Sequence, residues 1–456
     1  MQRREFLKGA AYTGGVAAVT AASARRVYGA NSRVNVALIG CGSRGVSVAE
    51  SMQAVAGVEY VAVCDVYQAQ ALKAKKQLGE TAIVQPDFRR VLEMKEVDAV
   101  HIATPDHWHA IPTVMALAAG KHVYVEKPHG HNIREGRAMV KAAEENPQLV
   151  FLTGTQHRSA PHIAEAAEMV RTGQIRDIHY VQVWNYYNLM PAGIGTLPDT
   201  DPPEGADWDL FLGPAPWVPF NENRFVGTYR HFTDYAGGWI TDFGVHRFDS
   251  VHQIMGAEAP MTINSSGGRF AMGGMSEHPD VLQVTYEYPE FIMSYETLNT
   301  NGFGSMGRLT PGITHHSARA KENRPNGMAF FGSNATMIVD RRAIEIIPEP
   351  LPTRRGPATI APKSNPPKLD RIAKDAQEPS AVHAQHFVRC IRGVEKPGCD
   401  ALVGHQGSNV AHLGNISYRV GRKLHWDADR ELICDDPEAT ALLGRKARPP
   451  WDMITT

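Results

Sequence analysis

Val34-Asn35-Val36-Ala37-Leu38-Ile39-Gly40-Cys41-Gly42-Ser43-Arg44-Gly45 decides the fold of this chain. The first six residues are an apolar run of strand length, and the next six fit GxGxxG at the head of a helical stretch. Each glycine has its own task. Gly40 permits a tight turn, Gly42 lets the backbone approach a ligand, and Gly45 allows close helix–strand packing. The first helical N–H groups lack intrahelical partners and attract an anion, here beside Ser43 and Arg44. A second apolar run, 58–64, ends at Asp65, twenty residues after Gly45. This is a βαβ unit with the spacing of a dinucleotide site. A carboxylate at Asp65 accepts from ribose hydroxyls and repels a 2'-phosphate, so NAD is expected over NADP. FAD shares the glycine fingerprint, although no second flavin-type motif accompanies it.

Outward from this unit, a run at 99–103, a helical stretch at 111–119 closed by Gly120 and a strand at 122–125 continue the alternation. Parallel strands with crossover helices follow. Beyond Phe151 the texture changes to strands at 178–184, 281–288, 291–295 and 343–347, which predicts a mainly antiparallel sheet. The segment 348–379 holds eight prolines and reads as a long surface excursion. Helical patterns return at 381–392 and 406–422 and are expected to pack back on the body. The fold class is therefore α/β, a doubly wound parallel sheet (31–155) followed by an α+β domain with a large antiparallel sheet (156–456).

The bulk numbers agree with a globular protein. At 456 residues and 43% hydrophobic side chains the chain can bury a large core, and a formal charge of −1 leaves no net field for a nucleic acid. Five cysteines without a CxxC pair, and no HxxxH or HExxH, argue against a metal site. Cys390 and Cys399 could pair in an oxidising compartment, but nothing in their spacing requires it. Residues 1–30 read as an export signal. Arg3-Arg4-Glu5-Phe6-Leu7-Lys8 has the twin-arginine form, and the small-residue stretch 9–24 behind it ends in Ala22-Ser23-Ala24. Thr13, Gly14 and Gly15 interrupt that stretch, so stable membrane insertion is not expected and a periplasmic or otherwise exported protein is.

Two further segments carry chemistry. In Val123-Tyr124-Val125-Glu126-Lys127-Pro128 a strand delivers a lysine to its C-terminal end, where ligands of parallel sheets bind. In Gly237-Gly238-Trp239-Ile240-Thr241-Asp242-Phe243-Gly244-Val245-His246 an aspartate and a histidine four residues apart share one face of a helix. An arbitrary Asp-x-x-x-His would more simply be a surface pair. With Thr104-Pro105-Asp106-His107-Trp108-His109 and the glycine turn, however, these segments resemble the Gfo/Idh/MocA family from about Val34 to the C-terminus.

The resemblance implies a Rossmann domain, NAD as cofactor, and a cofactor site including Thr104, Pro105, His109, Glu126 and Lys127. It implies His246 as general base, Asp242 as substrate-orienting or proton-relay partner, and Lys127 as stabiliser of a developing alkoxide. His and Lys suit those tasks, which need a base near neutral pKa and a cation close to the oxygen. It also makes a cis Lys127–Pro128 bond a specific expectation, and a homo-oligomer is expected. His107 and His109 could equally be helix-capping residues. His129, where an aliphatic residue is common, and the long segment 190–230, resembling an insertion of exported members, depart from the pattern. Substrate identity is expected in that insertion, with His157, Trp184, Tyr186 and Tyr229 as candidate contacts and Trp208 and Trp217 as further aromatic faces.

The expected activity is oxidation of a sugar or polyol hydroxyl. An exported enzyme meets little free NAD, so the cofactor is expected to stay tightly bound. Two alternatives stay open: a redox glycosidase that oxidises, eliminates and returns the hydride, and a sugar-binding protein that retains NAD.

Overall fold

A computed structural model of the chain describes residues 33–187, 193–302, 324–349, 379–454 and, for backbone alone, 372–375. The segment read as an export signal lies outside the described residues.

The apolar run quoted above is strand β1 (Val34–Ile39), and the glycine turn leads into helix α1 (Ser43–Gln53). The alternation continues through β2 (Val58–Cys64), α2 (Gln68–Leu78), β3 (Ile83–Gln85), α3 (Phe88–Leu92), β4 (Ala99–Ile102), α4 (Ala110–Ala118), β5 (His122–Glu126), α5 (Ile133–Glu144) and β6 (Phe151–Gly154). These six strands pair in the order β3-β2-β1-β4-β5-β6, all parallel. The order reverses between β1 and β4, which opens a crevice at their C-terminal ends. Gly40, at φ +92°, lies where a Cβ would come within 2.6 Å of the Ala103 and Thr104 backbone, and a Cβ on Gly45 would meet Gly40 O at 2.4 Å. Those two glycines are needed by the protein's own packing.

After α6 (Pro161–Arg171) the chain builds a second sheet. Its strands are β7 (Tyr180–Tyr186), β8 (Thr262–Gly268), β9 (Val281–Glu287), β10 (Ile292–Leu298), β11 (Asn326–Phe331), β12 (Ala335–Val339), β13 (Ala343–Pro348), β14 (Ile372–Asp375), β15 (Leu424–Asp427) and β16 (Leu432–Ile433). They run in the order β14-β13-β12-β11-β7-β10-β9-β8-β15-β16, antiparallel except for β7 against β10. The sheet is thus mixed and mostly antiparallel, as the alternating pattern predicts. Between β7 and β8 stand α7 (Trp208–Leu212) and α8 (Val245–Met255); α9 (Ser380–Ile391) and α10 (Ala401–Val420) follow β14.

Period-two alternation turns Leu282, Val284 and Tyr286 of β9 and Met293 and Tyr295 of β10 to one face. There they pack with Ile163 of α6, Val245, Phe248 and Val251 of α8 and Val410, Leu413 and Ile416 of α10. Full burial of each such side chain contributes roughly 1.5–3 kcal/mol, which fixes α8 rigidly on the sheet. Helices α9 and α10 also reach back to the first sheet. Phe387 and Val388 pack with Tyr124 and Leu152, and His383 Nε2 lies 2.9 Å from Thr153 O.

One expectation is corrected and one open question is answered. The proline-rich excursion is interrupted by β14, which pairs with β13; residues 350–371 and 376–378 lie outside the described residues. Cys390 and Cys399 do not pair, because each sulfur has another neighbour: His386 Nε2 at 3.6 Å from Cys390, and the Thr155 hydroxyl, donating at 3.0 Å, to Cys399. No helix among the described residues is long and apolar enough to cross a membrane.

Candidate active site

The reversal point of the first sheet opens into a cleft of about 400 Å³ over the glycine turn, lined by Gly40, Gly42, Ser43, Arg44, Gly45, Asp65, Thr104 and Pro105. Helix α1 has Gly42 at its N-cap and no side-chain cap, so its first N–H groups face the cleft uncapped. A Cβ on Gly42 would meet nothing within 4 Å. Unlike its two neighbours, Gly42 leaves room that the protein itself does not use, as close approach of a pyrophosphate requires. Asp65 anchors the rim of the cleft: its two oxygens accept from the backbone N–H of Cys41 and of Tyr67, each at 2.8 Å. Burial pushes its carboxyl up, and the two N–H groups oppose that rise.

A second cavity of about 220 Å³ continues inward and shares Arg44, Thr104, Tyr229 and Arg230 with the cleft. Lys127, Asp242 and His246 all line it, with His109 and Glu126. Lys127 directly follows β5 and is joined to Pro128 by a cis bond, as the resemblance implies. Its Nζ donates to Asp242 Oδ1 and to Asp242 O, both at 2.6 Å. Arg230 Nε lies 3.4 Å from the same carboxylate. Burial alone pushes the Asp242 carboxyl up, but Lys127 and Arg230 outweigh it and hold it well below the usual carboxylate range. Asp242 is therefore a permanent anion that holds Lys127 in place.

The aspartate and histidine do not sit on a plain α-helix. Asp242 lies in a π-helical turn, Ile240–Gly244, and His246 in the first turn of α8. A wider turn at a functional position is a recurrent device. The two glycines ahead of it have separate reasons. Gly238 adopts φ +72° where a Cβ would strike the His278 ring at 2.6 Å, and one on Gly237 would strike Thr241 at 2.4 Å.

His246 is buried, and among the described residues neither ring nitrogen has a hydrogen-bond partner. Burial pushes its pKa well below 6.5, helped by Lys127, His157, Arg341 and Arg44. It is a neutral imidazole whose proton-accepting capacity the protein leaves unspent. Arg158 Nε, donating to Asp249 Oδ1 at 2.6 Å, ties α8 to the turn after β6 and sets the His157 ring 5.1 Å from His246.

Residues 34–153 match the oxidoreductase family, NAD-binding Rossmann fold (GFO_IDH_MocA), and residues 178–289 and 356–453 match its C-terminal alpha/beta domain. The chain belongs to the Gfo/Idh/MocA oxidoreductase family. An uncharacterized oxidoreductase of Streptococcus pneumoniae is 26% identical over 56% of this chain and 59% of its own length. A glycosyl hydrolase family 109 protein of Saccharopolyspora erythraea is 34% identical, but the match covers 26% of this chain and 27% of that protein. The chain thus spans less than two thirds of the length of each of these two relatives. The scyllo-inositol 2-dehydrogenase (NAD(+)) of Bacillus subtilis is 22% identical over 87% of this chain and 98% of its own. Among solved structures, levoglucosan dehydrogenase with NADH and levoglucosan has a TM-score of 0.62 at 16% identity, covering 86% of this chain and 99% of that one. The aldose-aldose oxidoreductase of Caulobacter crescentus has 0.60 at 17%, with the same coverage. These two structures share the fold.

Not every candidate of this Gfo/Idh/MocA chain reaches the cavity. Tyr229 does, with Arg230 stacked 4.6 Å over its ring. His157 stands behind His246. Trp184 and Tyr186 do not line it, which corrects the expectation for both. They pack with Ala329 and Ile338 on the other face of β7, where Trp184 Nε1 donates to Arg324 O at 2.7 Å and the Tyr186 hydroxyl to Glu296. Trp208 is core, stacked on Phe211, while Trp217 is exposed. His107 ties the turn to α7, its Nε2 lying 2.9 Å from Phe211 O, and burial pushes it down to about 3. His109 Nδ1 and Nε2 face Pro128 O at 2.7 Å and Thr104 O at 3.0 Å.

The described part of the 190–230 insertion belongs first to the cofactor cleft. Gln68 N donates to Gly205 O at 2.8 Å and Asp207 N to Val66 O at 2.9 Å, which lays the segment along the rim just past Asp65. Phe225, Val226 and Gly227 then wall the cleft. Arg230, Arg341, Asp106, Gln156 and Phe243 also line the inner cavity without having been singled out by sequence. Asp106 and Phe243 lay inside quoted motifs without a role assigned to them, and no spacing marks the other three.

Asp65 provides a direct test of cofactor choice. Asp65→Ser should weaken NAD binding and relax discrimination against NADP by on the order of 1–3 kcal/mol, read as the ratio of the two dissociation constants. The ratio separates ribose recognition from loosening of the turn, which affects both nucleotides alike. An unchanged ratio would remove Asp65 from cofactor selection.

Proposed function

We propose that this protein oxidises a hydroxyl of a sugar or polyol with NAD, and that it keeps the cofactor bound between turnovers. The observation that carries the reading is the single inner cavity, opening to the dinucleotide cleft, on which Lys127, Asp242 and His246 converge. When bound, the nicotinamide supplies the hydride acceptor. The chain supplies the rest. His246 takes the hydroxyl proton as the C–H electron pair leaves with the hydride, and the carbinol becomes a carbonyl. The Lys127 ammonium, held by Asp242, stabilises negative charge growing on that oxygen. Retention is supported by the insertion pinned across the rim, and the exported location by Arg3-Arg4 and the stretch behind it. A retained cofactor would be recycled by passing hydride between two sugars.

The test is to denature purified protein, identify the released nucleotide, and assay the native protein without added NAD. Reduction of one sugar at the expense of another supports the proposal. Release of an aryl group from a glycoside would replace it with the redox-glycosidase reading, and idle bound NAD with a binding protein.

A further inference from the structure

Two polar side chains on the wall of the inner cavity, the Asp106 carboxylate and the Tyr229 hydroxyl, have no hydrogen-bond partner among the described residues. Asp106 opens a 3-10 turn, Asp106–Trp108, just after Thr104 and Pro105, and is 7% exposed. Tyr229, in the 3-10 turn Thr228–His231 of the insertion, is buried to the same degree. Buried polar groups are paired in the great majority of cases, so two unpaired ones facing one cavity point to a ligand.

The two turns are held in register. His107 N donates to Tyr235 O at 3.1 Å, and Tyr235 N and Phe232 N donate in turn to Phe232 O at 3.1 Å and Tyr229 O at 3.0 Å. Arg230 covers the Tyr229 ring at 4.6 Å. Burial pushes the Tyr229 hydroxyl well above its ordinary pKa; Arg230 opposes the rise and Asp106 adds to it. Tyr229 therefore keeps its proton, and the two groups lie within electrostatic reach of each other. Burial pushes the Asp106 carboxyl up as well, against the pull of His109, Lys127 and Arg230. The wall thus presents an acceptor and a donor whose positions are set before a ligand arrives.

We propose that Asp106 and Tyr229 select the substrate by a second hydroxyl, one that is not oxidised: it donates to the Asp106 carboxylate and accepts from the Tyr229 hydroxyl while the reacting carbinol lies at His246 and Lys127. This rests on the hydroxyl-oxidising reading above and names the feature of the substrate that is read. An ammonium group donates to Asp106 but accepts nothing from Tyr229, and a keto oxygen accepts but does not donate; a hydroxyl does both. A carboxamide also does both, and the nicotinamide carries one. Asp106, however, borders the inner cavity and not the dinucleotide cleft, which favours the substrate as its partner. A substrate lacking the second hydroxyl leaves both wall groups buried and unpaired, and sites of this kind discriminate strongly against such analogues.

The probes are glucose, galactose, mannose, xylose and myo-inositol with their monodeoxy analogues, given to the NAD-loaded protein, with calorimetric binding measured alongside. Reduction of the bound NAD, followed against sugar concentration, yields a limiting rate and a half-saturating concentration. One analogue of the best substrate does not react, because it lacks the hydroxyl to be oxidised. A second should lose about a hundredfold or more in the ratio of rate to half-saturating concentration, because it leaves both wall groups unpaired. Tyr229→Phe, which keeps the ring under Arg230, and Asp106→Asn should each raise the half-saturating concentration of the parent sugar about tenfold or more. Each should also shrink the parent's advantage over that second analogue alone, whereas a structural defect slows all analogues alike. Thermal unfolding of the sugar-free variants should match wild type, since neither group has a hydrogen bond to the described protein to lose. If every analogue that can react stays within about threefold of the parent, or if neither variant alters the advantage, the inference is overturned and the hydroxyl-oxidising reading stands. Weaker NAD binding with unaltered sugar selectivity overturns it too, and gives the pair to the carboxamide. Sugar binding that depends on Asp106 and Tyr229 without reduction of bound NAD would support the hydroxyl site and defeat the parent reading instead; neither binding nor reduction with any probe overturns both.

Discussion

His246→Ala should lower kcat by roughly a hundredfold to ten-thousandfold while NAD stays bound. The imidazole lines the cavity from a helix fixed by Phe248 and Val251 in the core, and its nitrogens are unspent on the protein. Its removal therefore takes away an interaction made mainly in the transition state, not a structural bond. The pH profile adds a signature. A base must be neutral to act, and burial with the surrounding cations holds His246 well below 6.5. Activity of the wild-type protein should stay level as pH falls through 6.5 and drop only at lower pH, where the ring gains its proton. The variant's residual activity should lack that limb. Binding of NAD by titration and an unchanged thermal transition guard against misfolding. A kcat within threefold of wild type would leave the site without its base.

The fold was legible because its decisive signals are local. Gly40, Gly45 and Asp65 act within one βαβ unit, and the constraints on the two glycines, a backbone 2.6 Å or 2.4 Å from a would-be Cβ, are those that GxGxxG encodes. Lys127 was legible for a similar reason, since a strand ending fixes where its next side chain points. Asp242 and His246 were legible as a pair. Their geometry was not, because a π-helical turn depends on how Gly237 and Gly238 pack against Thr241 and His278, and those contacts do not follow from spacing.

Arg230 and Arg341 were beyond reach. They enter the cavity from a 3-10 turn at Thr228–His231 and from a strand turn more than a hundred residues later, with no pattern linking them to Lys127. The misassignment of Trp184 and Tyr186 has a simpler cause. In a strand, alternate residues face opposite ways, and β7 turns Val181 and Val183 to the helices that carry His246. Trp184 and Tyr186 therefore face away from it.

Lys127→Met should cost about a hundred- to a thousandfold in kcat, the scale of losing one donor aimed at a developing oxyanion. The side chain keeps its apolar stem and loses only the ammonium, so the change isolates charge. Two consequences of opposite location follow. At Asp242 the carboxylate keeps Arg230 at 3.4 Å but loses its 2.6 Å bond from Lys127, as does the backbone carbonyl of the same residue, and the protein should lose about 1–3 kcal/mol of stability at neutral pH, less than for a carboxylate stripped of every partner. The sign is set by linkage. A carboxyl depressed in the folded state contributes stability above its ordinary value near 3.9, and that contribution fades as pH falls through the folded value. Wild type and variant should thus differ most at pH 7 and converge in acid. At His246 the loss works the other way. Removing Lys127 lifts one of the cations that, after burial, depress the imidazole, so the acid limb of kcat/KM should move upward in pH. Lys127→Arg retains the charge and should leave that limb low even if its bulk impairs turnover. A Lys127→Met variant with the wild-type acid limb and wild-type acid stability would show that the ammonium acts on neither group, and the shared cavity would then lose its electrostatic centre.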